Sequence, residues 1–191
     1  MLQIGDKMPD FNLLGVWGKM RNNYEYADKY ALAIIFTCNS NKYSQAYSER
    51  LIKLFDQYEE DNFAIIGINS NDDSQSPEDT MEMMVKAAYH YKLHERNFLY
   101  VKDDTQEVAK TFGASYNPEV FLFNSKRELV YKGAIDDAWE NETVVTQAYL
   151  EDAVEYCLDG IDVDFPEVPV TFGEPIIWKP GNEPEYAKMK S

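Results

Sequence analysis

Ala31-Leu32-Ala33-Ile34-Ile35-Phe36-Thr37-Cys38-Asn39-Ser40-Asn41 is the stretch on which the fold turns. Ala31 to Phe36 is an unbroken apolar run of strand length, and its lack of polar alternation predicts a strand buried on both faces, as in a parallel sheet. The run stops at Thr37 to Asn41, small polar residues of the kind that cap a helix. From Tyr43 to about Glu60 the residues Tyr43, Ala46, Tyr47, Leu51, Leu54, Phe55 and Tyr58 recur at spacings of three and four, which predicts an amphipathic helix.

Further along the chain the pattern repeats. Phe63 to Ile68 predicts a second buried strand, Asn69 to Pro77 a polar loop, and Glu78 to Leu93 a second helix. A short strand over Phe98 to Val101 and a small helix over Thr105 to Phe112 follow, until Gly113 to Pro118 breaks the order. Val120 to Phe123 and Leu129 to Lys132, joined by a turn at Asn124 to Arg127, predict an antiparallel hairpin. A last amphipathic helix is expected from about Thr143 to Leu158, stopped by Gly160. Towards the amino end, Gly15 and Gly18 predict a short hairpin after an irregular start at Pro9-Asp10-Phe11. These elements make an α/β sandwich with a mixed central β-sheet and helices on both faces. The expected organisation is one domain over 1–160 and a tail over 161–191. Most of the eight prolines fall in that tail, which should lie extended on the same domain, with Trp178 the residue most suited to docking.

Composition narrows the function. The 191 residues carry 34 acidic and 18 basic side chains, a formal charge of -16, which repels a phosphate backbone and an anionic membrane surface. Nucleic acid and membrane are therefore not expected partners, and no apolar stretch approaches the length of a membrane span. The first residues have neither a basic nor an apolar leader region, so the expected location is cytoplasmic. Only Cys38 and Cys157 carry thiols, too few for a secreted disulfide scaffold. His90 and His94 have the spacing of two ligands on one helix face. No cysteine lies near them and Glu95 falls on another face, so the reading is an ordinary helix surface, with no metal and no cofactor.

Cys38 is the candidate nucleophile. It follows a buried strand and precedes a long helix, so its sulfur is expected in the first helical turn, where free N–H groups and the helix dipole favour a thiolate and Lys42 adds to the effect. Its polar neighbours argue against deep burial. Cys157 is expected inside, on the apolar side of the last helix, inert and too far from Cys38 for a disulfide. Asn117-Pro118, just before the hairpin, is a common setting for a cis bond, with an ordinary loop proline as the alternative.

This layout resembles the thioredoxin-like fold, a three-layer sandwich, and in detail the redoxin (alkyl hydroperoxide reductase and thiol-specific antioxidant, AhpC/TSA) superfamily. The resembling stretches are Pro9-Asp10-Phe11, Ile34 to Asn39, Gly67 to Asp72, Pro77-Glu78-Asp79, Asp104 to Lys110, Asn117 to Phe123 and Trp178 to Glu185, spanning nearly the whole chain. The branch it resembles reads Cys-Asn-His-Cys-Pro-Tyr at the site, so Cys38 matches the attacking cysteine while Asn41 stands where the second would be. Tyr116 and Glu174 hold the places of further cysteines. The resemblance implies an oxidoreductase with antioxidant and redox-homeostasis roles. Without a second cysteine it would use a monothiol mechanism, its partner an external thiol or thiol-bearing protein. In that scheme Asn39, Ser40 and Asn41 hydrogen bond the thiolate beside Thr37, Asn117 offers its backbone to an extended substrate, and Pro118 shapes the groove. Two alternatives stand beside it: a redox-inert binding module on the same fold, and a one-cysteine thiol peroxidase. Against the peroxidase, Ala31 and Ile35 stand where peroxiredoxins carry a proline and a hydroxyl residue.

Overall fold

The computed structural model describes residues 1–188. Three parallel strands form its centre: β3 (Ala31–Phe36), β4 (Phe63–Asn69) and β5 (Leu99–Lys102). The amino-terminal hairpin of β1 (Asn12–Gly15) and β2 (Met20–Asn22) joins antiparallel on the β5 side. A two-residue strand, β6 (Tyr116–Asn117), precedes the second hairpin. That hairpin, β7 (Glu119–Phe123) and β8 (Leu129–Gly133), joins antiparallel on the β3 side, and β9 (Glu167–Val168) runs parallel to β8. The resulting eight-stranded mixed sheet has the order β2-β1-β5-β4-β3-β7-β8-β9.

Side-chain alternation divides each central strand between two cores. Ala31, Ala33 and Ile35 of β3 and Phe63 and Ile65 of β4 pack with helices α1 (Lys42–Tyr58), α2 (Met81–His90) and α4 (Tyr149–Leu158). Leu32, Ile34 and Phe36, with Ala64, Ile66 and Ile68, face the other way, against Ala109 and Phe112 of α3 (Glu107–Phe112) and against Ile176 and Trp178 of the tail. Both faces are covered, which is why the strands read as continuous apolar runs. The tail also adds β10 (Glu174–Pro175), antiparallel to β6.

Two helices differ from their sequence expectation. Helix α4 begins at Tyr149, not near Thr143, and only Glu142–Val144 make a short 3-10 turn before it. The β-branched run Thr143 to Thr146 is a poor helix former, and Asp137 captures the Thr146 backbone N–H at 2.9 Å together with its hydroxyl. The second helix begins at Met81 because Thr80 takes the N-cap, its Oγ1 accepting from the Met83 N–H at 3.4 Å, and Pro77–Asp79 form a separate 3-10 turn.

Candidate functional site

The site lies at the carboxyl ends of β3 and β4, where the chain leaves the sheet through polar loops. Asn41 caps α1: its Oδ1 accepts from the Ser44 N–H at 2.7 Å, satisfying an N–H that the first helical turn leaves over. With that cap at Asn41, Cys38 falls three residues before the cap rather than in the first turn. The same asparagine reaches both ways across the site, its Nδ2 donating to Cys38 Sγ at 3.0 Å and to the Asn117 carbonyl at 3.0 Å. Asn117 precedes a cis peptide bond to Pro118, which is buried.

Cys38 is 4 % exposed. Ser40 Oγ donates to it at 3.6 Å, and its own S–H donates to Ser44 Oγ at 3.7 Å, so it sits in a small polar cage. Burial pushes the Cys38 thiol up, and the Asp79 carboxylate pushes it further. The bonds from Ser40 and from Asn41, and the contact with Ser44, offset this only in part. The expected low thiol pKa is therefore corrected. The polar neighbours taken as signs of exposure are turned inward, and Lys42 reaches away, its ammonium 4.9 Å from the Tyr43 ring and 5.0 Å from the Trp139 ring.

Asp79 organises the surroundings. Its carboxylate accepts from the Asn39 N–H (2.7 Å), Ser40 Oγ (2.6 Å), Asn69 Nδ2 (2.9 Å), Asn71 Nδ2 (2.9 Å) and Ser76 Oγ (2.7 Å). Burial alone would raise its pKa. The donors from Ser40, Asn71, Ser76 and Asn39 outweigh burial and hold the carboxyl below its usual range, so it stays ionised at the carboxyl end of the sheet. Lys102, also buried, donates to the backbone carbonyls of Asn71 (2.7 Å) and Asp79 (3.0 Å). Burial lowers its pKa, and the Asp73, Asp79 and Asp104 charges oppose that.

The sequence-selected residues thus gather, but not all in the expected manner. Ser40, Asn41 and Asn117 surround Cys38. Thr37 lines the adjoining groove, its N–H bonded to the Ile68 carbonyl at 2.9 Å. Asn39 turns away from the sulfur: its Nδ2 donates to the Glu78 carbonyl at 2.9 Å and its Oδ1 accepts from Tyr100 OH at 3.1 Å. Asn117 lies opposite Glu174 in the β6–β10 pair, so its strand edge is covered by the chain's own tail rather than open to a substrate segment. Asp79, Ser44, Asn71 and Tyr100 complete the site without a local sequence signal of their own, although Gly67 to Asp72 and Pro77-Glu78-Asp79 are among the resembling stretches.

Cys157 is only half-buried, not interior. Its sulfur lies 3.8 Å from the Tyr30 carbonyl, just before β3, and burial pushes its thiol up to about 11. Cys38 follows the other end of that six-residue strand, so roughly 20 Å of strand separates the two thiols, far beyond disulfide reach. Ala31 and Ile35 are buried within β3. The rings of His90 and His94 take separate aromatic neighbours, Tyr91 at 4.8 Å and Tyr89 at 5.2 Å. Among the described residues no group of three or more potential ligands is placed to hold a metal, and no helix is long and apolar enough to cross a membrane.

The model of the AhpC/TSA family matches residues 4–132, from the amino terminus through the Cys38 loop to β8. The chain belongs to the AhpC/TSA family. Among solved structures, this AhpC/TSA protein is similar to a hypothetical protein from Sinorhizobium meliloti 1021, with 35% identity, 95% of this chain and 97% of that chain covered, and a TM-score of 0.86. An uncharacterized conserved protein from Geobacillus kaustophilus matches at 31% identity over 95% of each chain, also with a TM-score of 0.86. The peroxidoxin BcpB from Mycobacterium tuberculosis shares the fold at 16% identity, covering 85% of this chain and all of that one (100%), with a TM-score of 0.62. No curated protein matches the sequence. The thioredoxin-like fold that the layout of Cys38 and Pro118 resembles is the one found, a mixed central sheet with helices on both faces.

Proposed function

We propose that this redoxin exchanges thiols and disulfides through Cys38 alone, with an external thiol completing the cycle in a reducing compartment such as the cytoplasm. The observation that carries this reading is the bridge made by Asn41, which ties the Cys38 sulfur to the carbonyl preceding cis-Pro118 from the place where a second thiol would stand. The sulfur has donors in Asn41 and Ser40, and the Ser44 hydroxyl can rotate to donate once the thiol proton leaves. A raised thiol pKa lowers the thiolate fraction at neutral pH but makes each thiolate a stronger nucleophile. Thr37 and Asn39 line the approach to the sulfur, while Asn117, next to the buried Pro118, accepts the Asn41 bridge. With Cys157 out of reach, a mixed disulfide at Cys38 waits for an incoming thiol.

A redox-inert binding role is the second reading, favoured by the 4 % exposure of Cys38. The peroxidase reading is supported by family membership and opposed by Ala31 and Ile35, which lie in the core. Alkylation of Cys38 in a Cys157→Ala protein separates the first two. We expect modification of the folded protein with a midpoint above the free thiol value of about 8.5, and a mixed disulfide that added thiol releases. Modification only on unfolding would favour the inert module, and peroxide consumption dependent on added thiol would favour the peroxidase.

A further inference from the structure

Cys38 lines two adjoining cavities between α1 and α2. The inner one is about 50 Å³, with walls that include Leu51, Ile52, Ala88 and Phe98. That is room for one or two waters or the edge of a small apolar group. The outer one is about 400 Å³, within the range of small-molecule sites, and its rim carries Gln45, Glu78, Lys86 and His90. Ser48 on α1 and Ala87 on α2 line both cavities, as does Cys38, so the two form one groove whose wide outer part meets the narrow inner part beside Cys38.

The opposite approach, along β6, is occupied. Beyond the β6–β10 pair, the Ile176 N–H donates to the Ser115 carbonyl at 2.9 Å and the Ile177 N–H to Asn71 Oδ1 at 2.9 Å. The Ile177 carbonyl accepts from the Asp72 N–H at 2.8 Å and from Gln106 Nε2 at 3.0 Å. Ile176 and Trp178 are 2 % and 8 % exposed. A protein substrate laid along β6 would have to strip all of this away.

Resting on the exchange reading above, we propose that the substrate of Cys38 is a small disulfide with an apolar body and no negative charge, entering by the α1–α2 groove. The groove fits one ring or short chain and excludes a folded segment. Lys86 at the rim is already paired with Glu82 at 2.7 Å, so Glu78 beside it, Asp79 behind it and the net charge of -16 repel carboxylates. The Cys38 thiolate attacks one sulfur of R–S–S–R. A Cys38–S–S–R bond forms, the original S–S bond breaks, and RS⁻ leaves to take up the proton that Cys38 released. Cys38 is oxidised and one half of the substrate reduced. An external thiolate then attacks the R sulfur of the mixed disulfide, giving R–S–S–R′ and returning Cys38 as a thiol after protonation.

The test uses the Cys157→Ala protein and three probes: dithiodipyridine, which is neutral and aromatic, a bis-nitrobenzoate disulfide, which is a dianion, and insulin with added thiol. We expect one equivalent of dithiodipyridine to react at Cys38. Relative to the rates on the unfolded chain, it should be favoured over the dianion by about tenfold or more. Ala87→Trp should slow its reaction by about tenfold or more, and insulin reduction should not exceed that of the thiol alone. Ser48→Trp narrows the same groove from the α1 wall and takes over if circular dichroism shows Ala87→Trp unfolded. Unchanged rates in a folded groove variant, or catalysed insulin reduction, would overturn the proposal. A Cys38 that reacts with no probe until the chain is unfolded would instead bring down the exchange reading itself, a distinct result.

Discussion

At Asp79 five donors converge on one buried carboxylate, and the anion they hold in place acts on Cys38 by raising its pKa. Asp79→Asn removes that charge, so the midpoint of Cys38 alkylation against pH should move down, while unpaired donors cost about 1–3 kcal/mol of stability. The carboxyl's folded pKa lies below its unfolded value. Its contribution is therefore complete above about pH 4 and is lost as pH falls through the folded pKa. Urea midpoints measured through the acid range should decline less steeply in Asp79→Asn than in the parent. The residue was hard to find from the chain alone. Pro77-Glu78-Asp79 reads as the acidic start of a helix, and only the Thr80 cap, which delays the helix to Met81, turns Asp79 inward while Glu78 stays outside. Cys38 was legible as a site because a strand end and a helix start bracket it. Its burial was not, because the polar side chains around it make their bonds to one another and to the sulfur rather than to solvent.

Helix α1 and the tail strand each bear a consequence at the level of the element. Asn41 joins the helix start to the sulfur and to the Asn117 carbonyl, so Asn41→Ala should cost about 1–2 kcal/mol for the cap alone, read as a lower thermal midpoint, and should loosen Cys38 towards alkylating agents. Asn41→Cys gives up the same cap but puts a second thiol beside the first. It should close an internal disulfide on oxidation, seen as the loss of both free thiols in the Cys157→Ala background. In the tail, Trp178→Ala should cost about 3–5 kcal/mol, measured by denaturant unfolding, since its ring is packed into the core shared with Ile34, Phe36 and Phe112. The long elements were readable because period and length agree over many residues. The start of α4 was not, since the apolar period runs on through Val144 and Val145 while the β-branched backbone there refuses the helix. Strands β9 and β10 are two residues each, and nothing local announces a pairing made with partners tens of residues away.

Across the whole molecule, ionisable groups with raised pKa values accumulate on the alkaline side. Burial lifts Tyr26, Tyr47 and Tyr131 well above the usual phenol value, with hydrogen bonding to Asp136 adding to the shift at Tyr47, and both thiols are raised too. Each of these groups ionises earlier in the unfolded chain than in the folded one. Stability should therefore be intact below about pH 8.5 and fall as pH rises, most steeply beyond about pH 10. Denaturant midpoints over that range check this, and Cys157→Ala should soften only the first part of the decline. The architecture as a whole was the most legible feature, because strands covered on both faces leave the apolar signature of Ala31 to Phe36 and Phe63 to Ile68. The acidic balance spoke to solubility and to excluded partners, and carried no information on which edge of the sheet would be open.

The tail's hold on Asn71, Asp72, Gln106 and Ser115 has a bearing on the order of events during translation. Ile176 to Lys179 emerge from the ribosome after every other part of the Cys38 neighbourhood. The sheet and its helices can form while the loop ends of β4 and β6 still lack their final ligands. Until those last residues dock, the β6 edge of the nascent chain lies uncovered beside Asn117, whose carbonyl accepts the Asn41 bridge to Cys38.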